Sequence, residues 1–129
     1  MLKRIRQYKI LIIEDEEDLS NLYVRILKKH FGADKIECVC RGDSENADKL
    51  LLDRVFDLVI SCIALPSVDG LSFLGQMRER GVDIPWIIAT GQTSPEARAA
   101  AEKLGCSAFI TKPIEVEEFL KAVAQFLDV

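Results

Sequence analysis

The sequence predicts an α/β domain in which helices cover both faces of a parallel sheet. Three observations carry this. Apolar runs of strand length alternate with segments of helical period along the 129 residues. The run Leu58-Val59-Ile60 is apolar at consecutive positions, the mark of a strand buried on both faces, as central parallel strands are. The connections are short, and alternation with short connections gives helix-covered parallel strands. The chain is 49% hydrophobic and 29% charged, a globular profile with enough apolar surface for one core. Residues 1–129 are read as one domain, without repeats, linker or low-complexity segment.

Each element has its own signal. Lys9–Ile13 is an apolar strand ending at acids. Leu19, Leu22, Ile26 and Leu27 recur at helical spacing, and Gly32 is placed to end that helix. Ile36–Val39 is a short second strand. Ser44 is positioned to N-cap a helix carrying Ala47, Leu50 and Leu51. Asp57–Ser61 is the third strand, followed by a loop holding Pro66, Asp69 and Gly70. Phe73, Leu74 and Met77 form the next helical face, which stops at Gly81. Ile84–Ala89 is the fourth strand, with Pro85 near its start, where a missing N–H is tolerated. Ser94-Pro95 reads as N-cap and first helical residue of an Ala-rich helix running to Leu104, with Gly105 beyond it. Ala108–Thr111 is the fifth strand. Glu115 opens a last helix with Phe119, Leu120, Val123 and Phe126 facing inward.

Composition excludes several classes. The net charge is −4 and no Lys/Arg stripe crosses the body, which argues against direct nucleic-acid binding. The basic start, Lys3, Arg4, Arg6 and Lys9, reads as a solvated lead-in to the first strand. Apolar runs such as Ile10–Ile13 are too short to span a membrane, and charges reaching Lys9 leave no signal-peptide apolar region. The four cysteines, Cys38, Cys40, Cys62 and Cys106, form no paired framework. Cys38 and Cys40 alternate along one strand face and read as small buried thiols, not a metal pair. These features place the chain in a reducing cytoplasm.

In an open α/β sheet, ligands sit beyond the carboxyl ends of the strands. After the first strand stand Glu14, Asp15, Glu16 and Glu17; after the third, Cys62; after the fourth, Thr90-Gly91; after the fifth, Lys112-Pro113. Paired carboxylates attract a hard cation such as Mg²⁺, which keeps several waters. A lysine opposite them neutralises a phosphoryl oxygen as a point charge, and a hydroxyl donates to another.

The stretches "ILIIEDE", "FDLVISCIALPSVDG", "IIATG" and "FITKP" resemble, in order, the acidic pair, strand-three motif, Thr/Ser switch site and lysine-proline site of the response-regulator receiver domain. The resemblance covers the whole chain and is to the stand-alone, chemotaxis type. It implies a flavodoxin-like doubly wound sheet of order 2-1-3-4-5 with five helices, and signal transduction in a two-component phosphorelay. It implies Asp15 as the direct Mg²⁺ ligand, Glu14 acting through water, and the Ala64 carbonyl completing the metal site. Thr90 and Lys112 match the phosphoryl-contacting residues, and Phe109 the aromatic that turns inward on activation. Lys112-Pro113 matches a peptide bond often cis in the family, and Pro66 and Gly70 match the loop after the acceptor.

The sequence departs from the family at Cys62, which stands where the phosphoacceptor aspartate is expected. A thiol forms no acyl phosphate, and sulfur is a poor Mg²⁺ ligand, so the resemblance implies a weakened metal site. Glu14 and Asp15 raise the thiol pKa and Lys112 lowers it, so the sequence leaves the net sign open. Three readings stand: an atypical receiver acting as a protein-interaction module, an Asp-to-Cys variant of an ordinary phosphorylatable receiver, and a thiol redox sensor on a receiver fold. No catalytic residue and no organic cofactor are expected. A flavodoxin needs a Ser/Thr/Gly-rich phosphate loop where Glu14-Asp15-Glu16-Glu17 stands, and a cysteine phosphatase needs an arginine where Val68 stands. His30, the sole histidine, lies at the end of the first helix, away from the rim. The expected partner is a sensor histidine kinase or other signalling protein acting in trans. A homodimer through the fourth helix, fifth strand and fifth helix is a further expectation, since Ala97, Ala99, Ala100 and Ala101 permit close docking.

Overall fold

The computed structural model describes residues 7–53 and 55–127. Lys3, Arg4 and Arg6 of the basic start lie outside the described residues. The elements alternate as β1 (Tyr8–Ile13), α1 (Glu17–Phe31), β2 (Ile36–Arg41), α2 (Ala47–Leu52), β3 (Leu58–Ser61), α3 (Gly70–Glu79), β4 (Trp86–Thr90), α4 (Pro95–Lys103), β5 (Ala108–Thr111) and α5 (Val116–Ala124). All strand pairs are parallel, in the order β2-β1-β3-β4-β5. This is the predicted fold class.

Strand alternation divides the core into two layers. Ile10, Ile12, Leu58, Ile60, Ile87, Ala89 and Ile110 pack with Tyr23 and Leu27 of α1 and with Phe119 and Val123 of α5. Leu11, Ile13, Val59, Trp86 and Ile88 pack on the other face with Leu51, Phe73, Leu74, Met77 and Ala101. Every residue of β3 is buried, as its continuous apolar run requires. Each fully buried Ile, Leu or Phe contributes about 1.5–3 kcal/mol relative to exposure. Trp86 keeps its indole N–H satisfied on Ser61 Oγ at 2.9 Å. Arg78 lies over its ring and donates to the carbonyls of Val82, Ile84 and Gly105, tying α3 to the approaches of β4 and β5.

Several local expectations need correction. Ser44 does not cap α2, which starts after Asn46 in a left-handed conformation. The Ser44 hydroxyl instead donates to the Val68 carbonyl at 2.8 Å and accepts from the Val68 amide at 3.1 Å. One hydroxyl thus satisfies both backbone groups of a distant loop residue, which helix capping does not. On α1 the inward residues are Ser20, Tyr23 and Leu27, while Leu22 is exposed. Helical spacing allows either stripe, and the larger aromatic takes the sheet side, stacked on Phe119. β4 begins at Trp86, because Ile84 and Pro85 lie before the ladder. On α5, which ends at Ala124, Leu120 is half-buried; Phe126 lies beyond the helix, half-buried, and Leu127 after it is buried. Cys38 is half-buried and Cys40 exposed, so they are not the buried thiols expected; β2 is an edge strand whose far end has little cover. The Ser94 cap holds, accepting from the Ala97 amide with Pro95 behind it, and Gly32 and Gly105 take positive φ at their helix ends.

The register brings the carboxyl ends of the strands to one rim. Ile13 lies opposite Arg41 and Ser61, and Thr90 opposite Thr111. Behind Cys62 the chain turns tightly, with the Gly70 amide on the Ile63 carbonyl at 2.7 Å. A Cβ on Gly70 would stand 1.9 Å from the Cys62 carbonyl oxygen, closer than any real contact. Gly70→Ala is therefore expected to lower unfolding free energy by about 3 kcal/mol. Gly42→Ala, where nothing lies within 4 Å, stays within about 0.5 kcal/mol. Urea midpoints of the two variants check this.

Candidate functional site

Alternation along three strands continues past their ends. Glu14 follows Ile12, Cys62 follows Ile60 and Lys112 follows Ile110, and all three predecessors face α1 and α5. Glu14, Cys62 and Lys112 therefore emerge on that side of the rim. Glu14 is 3% exposed. Its Oε1 accepts from Lys112 Nζ at 2.7 Å and its Oε2 from the Glu16 amide at 3.1 Å. Burial pushes the Glu14 carboxyl above its ordinary value, and the Lys112 contact opposes that rise.

Cys62 is 3% exposed, its amide held on the Ile13 carbonyl. Its Sγ lies 3.4 Å from the Ala64 carbonyl and 3.9 Å from Asp15 Oδ1, both in reach of the thiol proton. Burial, with the Glu14 charge second, pushes the thiol up to about 11. The direction that the sequence left open is therefore upward, which favours the protonated thiol. Asp15 is exposed on the outer side.

The structure thus joins Glu14, Asp15, Cys62, Ala64 and Lys112. Thr90 is buried at the end of β4, but its hydroxyl accepts from the Gln92 amide, and its link to Lys112 is through the backbone, Lys112 N to Thr90 O at 2.8 Å. Phe109 stands apart, half-buried with the Arg98 guanidinium 4.9 Å over its ring. The Lys112-Pro113 peptide is cis. His30 is exposed at the end of α1, edge-on to Phe31.

Two neighbours escaped the sequence. Tyr23 and Ser20 of α1 are buried, and neither hydroxyl has a hydrogen-bond partner among the described residues. Ser20 lines one cavity with Glu14 and Asp15, and burial, with the Glu14 charge second, raises the Tyr23 phenol. Choosing Tyr23 over Leu22 as the inward residue would have pointed to them.

Ligand atoms of Glu14, Asp15 and Cys62 lie within 4.8 Å of one another. This set suits Mg²⁺ poorly. That ion wants an octahedron of oxygens, whereas one donor here is sulfur.

The response regulator receiver domain family matches residues 10–124. The chain belongs to that family. As a receiver domain it falls among signalling modules that commonly hold Mg²⁺ at an acidic pocket and interact with histidine kinases and other signalling proteins. It is 31% identical over 127 residues to an uncharacterized 14.6 kDa protein of Leptolyngbya boryana, covering 97% of this chain and 94% of that protein. It is 31% identical to the transcriptional regulatory protein DltR of Streptococcus agalactiae, covering 89% of this chain and 50% of DltR. The receiver thus spans about half the length of such regulators. The signal receiver domain of an HD domain-containing protein from Pseudomonas fluorescens superposes with a TM-score of 0.84 at 27% identity, covering 95% of this chain and 96% of that one. The non-phosphorylated HemR receiver domain from Leptospira biflexa gives 0.81 at 27% identity, covering 95% and 96%.

Removing Lys112 strands a buried carboxylate. Lys112→Met should destabilise the receiver by roughly 3 kcal/mol at pH 7, and adding Glu14→Gln should recover much of that. Because the folded Glu14 carboxyl holds its proton to higher pH than the unfolded one, its contribution favours the fold at low pH. It weakens as pH rises through the folded value. Lys112→Met removes the opposing contact, so unfolding free energy measured from pH 4 to pH 8 should fall more steeply than in the parent. A second expectation concerns the thiols: iodoacetamide at pH 7 should modify exposed Cys40 at least about 100-fold faster than Cys62, read by peptide mass mapping.

Proposed function

We propose that residues 1–129 are a single receiver domain that signals in a two-component system as a protein-interaction module, without aspartyl phosphorylation. The observation that carries this is the setting of Cys62, a buried thiol directed at Ala64 and Asp15, where burial favours its protonated form. A neutral thiol is a weak nucleophile toward phosphorus, and its product would not be the acyl phosphate of the family. The same neutrality weighs against a redox sensor, since oxidation follows thiolate character and exposure. No catalytic residue is assigned.

In this reading Glu14, Asp15 and the Ala64 carbonyl are the remnant of a metal pocket that holds Mg²⁺ weakly. Thr90 and Lys112 are the former phosphoryl contacts, and Phe109 is the switch aromatic. Lys112 now balances Glu14 in place of a phosphoryl oxygen. The partner is a histidine kinase or other signalling protein in trans in the cytoplasm, not nucleic acid. A homodimer would use α4, β5 and α5. No helix among the described residues is long and apolar enough to cross a membrane.

One observation favours a second reading, an Asp-to-Cys variant of an ordinary receiver: Glu14, Asp15, Thr90 and Lys112 are all retained. Acetyl phosphate with Mg²⁺, followed by intact-mass measurement, is expected to leave the chain unmodified. A phosphoryl gain mapping to Cys62 would sink the primary reading. Cys62→Asp should gain one labile phosphoryl group if the pocket is otherwise competent, which is the outcome the second reading requires. Size-exclusion chromatography with and without beryllofluoride should show no ligand-dependent dimer for the parent chain.

A further inference from the structure

The mismatch with Mg²⁺ has a positive side. Cys62 brings sulfur into a pocket whose other donors are carboxylate and carbonyl oxygens, and the geometry is already close to that of a different ion. A tetrahedral Zn²⁺ with Zn–S near 2.3 Å and Zn–O near 2.1 Å sets sulfur and oxygen about 3.6 Å apart. Cys62 Sγ lies 3.9 Å from Asp15 Oδ1 and 3.4 Å from the Ala64 carbonyl. Ligand atoms of Glu14, Asp15 and Cys62 all fall within 4.8 Å of one another.

We propose that Cys62, Asp15 and Glu14 form a site for a thiophilic divalent cation, Zn²⁺, at the rim position where the family holds Mg²⁺. Zn²⁺ takes the place of the thiol proton, which leaves to solvent as the Zn–S bond forms. The charges of the Cys62 thiolate, Asp15 and Glu14 are then matched by Zn²⁺ together with the Lys112 ammonium, which already holds Glu14 at 2.7 Å. The Ala64 carbonyl or a water completes the coordination. Mg²⁺ beside a neutral thiol lacks this balance, and sulfur selects the softer ion.

The buried hydroxyls of α1 point the same way. Tyr23, 1% exposed, packs on the face from which Cys62 and Glu14 emerge. Ser20, 4% exposed, lines the cavity shared by Glu14 and Asp15. Neither has a hydrogen-bond partner among the described residues. Buried hydroxyls are rarely left so, and ligand oxygens or a metal-bound water would satisfy them, as outer-shell groups orient metal ligands elsewhere. Exposed Cys40 lines that cavity too, so the test must separate it from Cys62.

The proposal is independent of the phosphorylation reading. Absence of Zn²⁺ binding leaves that reading standing, and phosphorylation of Cys62 sinks that reading without deciding the metal. The full chain, reduced and stripped with a chelator, is titrated with Zn²⁺ against a chromophoric competitor, and separately with Co²⁺ as a spectroscopic substitute. The expected result is one equivalent of Zn²⁺, not displaced by equimolar Mg²⁺, and a thiolate-to-Co²⁺ charge-transfer band in the near ultraviolet. Cys62→Ser should abolish the band and weaken Zn²⁺ by roughly 100-fold, while Cys40→Ser should keep both. No band, a band surviving Cys62→Ser, or one lost in Cys40→Ser overturns the proposal. Should Cys62→Ser not fold, exposed Asp15→Asn serves: Zn²⁺ affinity must fall while the far-ultraviolet spectrum stays native, and unchanged affinity overturns the site.

Discussion

The ammonium of Lys112 and the carboxylate of Glu14, 2.7 Å apart with side chains 21% and 2% exposed, join the last strand to the first across the rim of the sheet. β3 and β4 lie between those strands, so no ladder bond makes this link. A buried carboxylate is tolerable only with a partner, and a single cation supplies it here. Once Lys112 is committed to Glu14, its influence on Cys62 is divided. Burial and the Glu14 charge then dominate at the sulfur, and both raise its proton affinity.

The surroundings of Cys62 are fixed by hydrogen bonds and a close backbone approach. The Cys62 thiol reaches toward the Ala64 carbonyl and Asp15 while its amide is tied to Ile13. Behind it, Gly70 allows the loop to α3 to fold onto the Cys62 carbonyl, a contact no side chain would permit. The Cys62 side chain therefore sits in a frame fixed by backbone contacts. The thiol lies in a field of oxygen donors, the Ala64 carbonyl and the Asp15 carboxylate.

Most of the fold was legible because burial on both faces writes an unambiguous pattern. Leu58-Val59-Ile60 had to be a central strand, and the Ser94-Pro95 start and the glycines after the helices marked boundaries by backbone chemistry alone. Local ambiguity appeared where two partners compete for one group. Ser44 had a nearby helix end and a distant loop, and chose the loop. Leu22 and Tyr23 offered adjacent stripes on α1, and packing on Phe119 selected Tyr23. Cys38 and Cys40 looked buried because strands alternate, yet their strand lies at the edge, which local sequence does not reveal.

The sequence by itself determined the parallel α/β class and the placement of Glu14, Asp15, Cys62, Thr90 and Lys112 beyond the strand ends, because period and motif order are local properties of the chain. Only the tertiary structure decided which of these residues touch. It paired Lys112 with Glu14, left the Thr90 hydroxyl on Gln92, placed Phe109 apart, and set two buried hydroxyls of α1 beneath the rim. It also decided that burial raises the proton affinity of the thiol. Proton affinity depends on burial and on charges far apart in sequence, and those distances exist only in the folded chain.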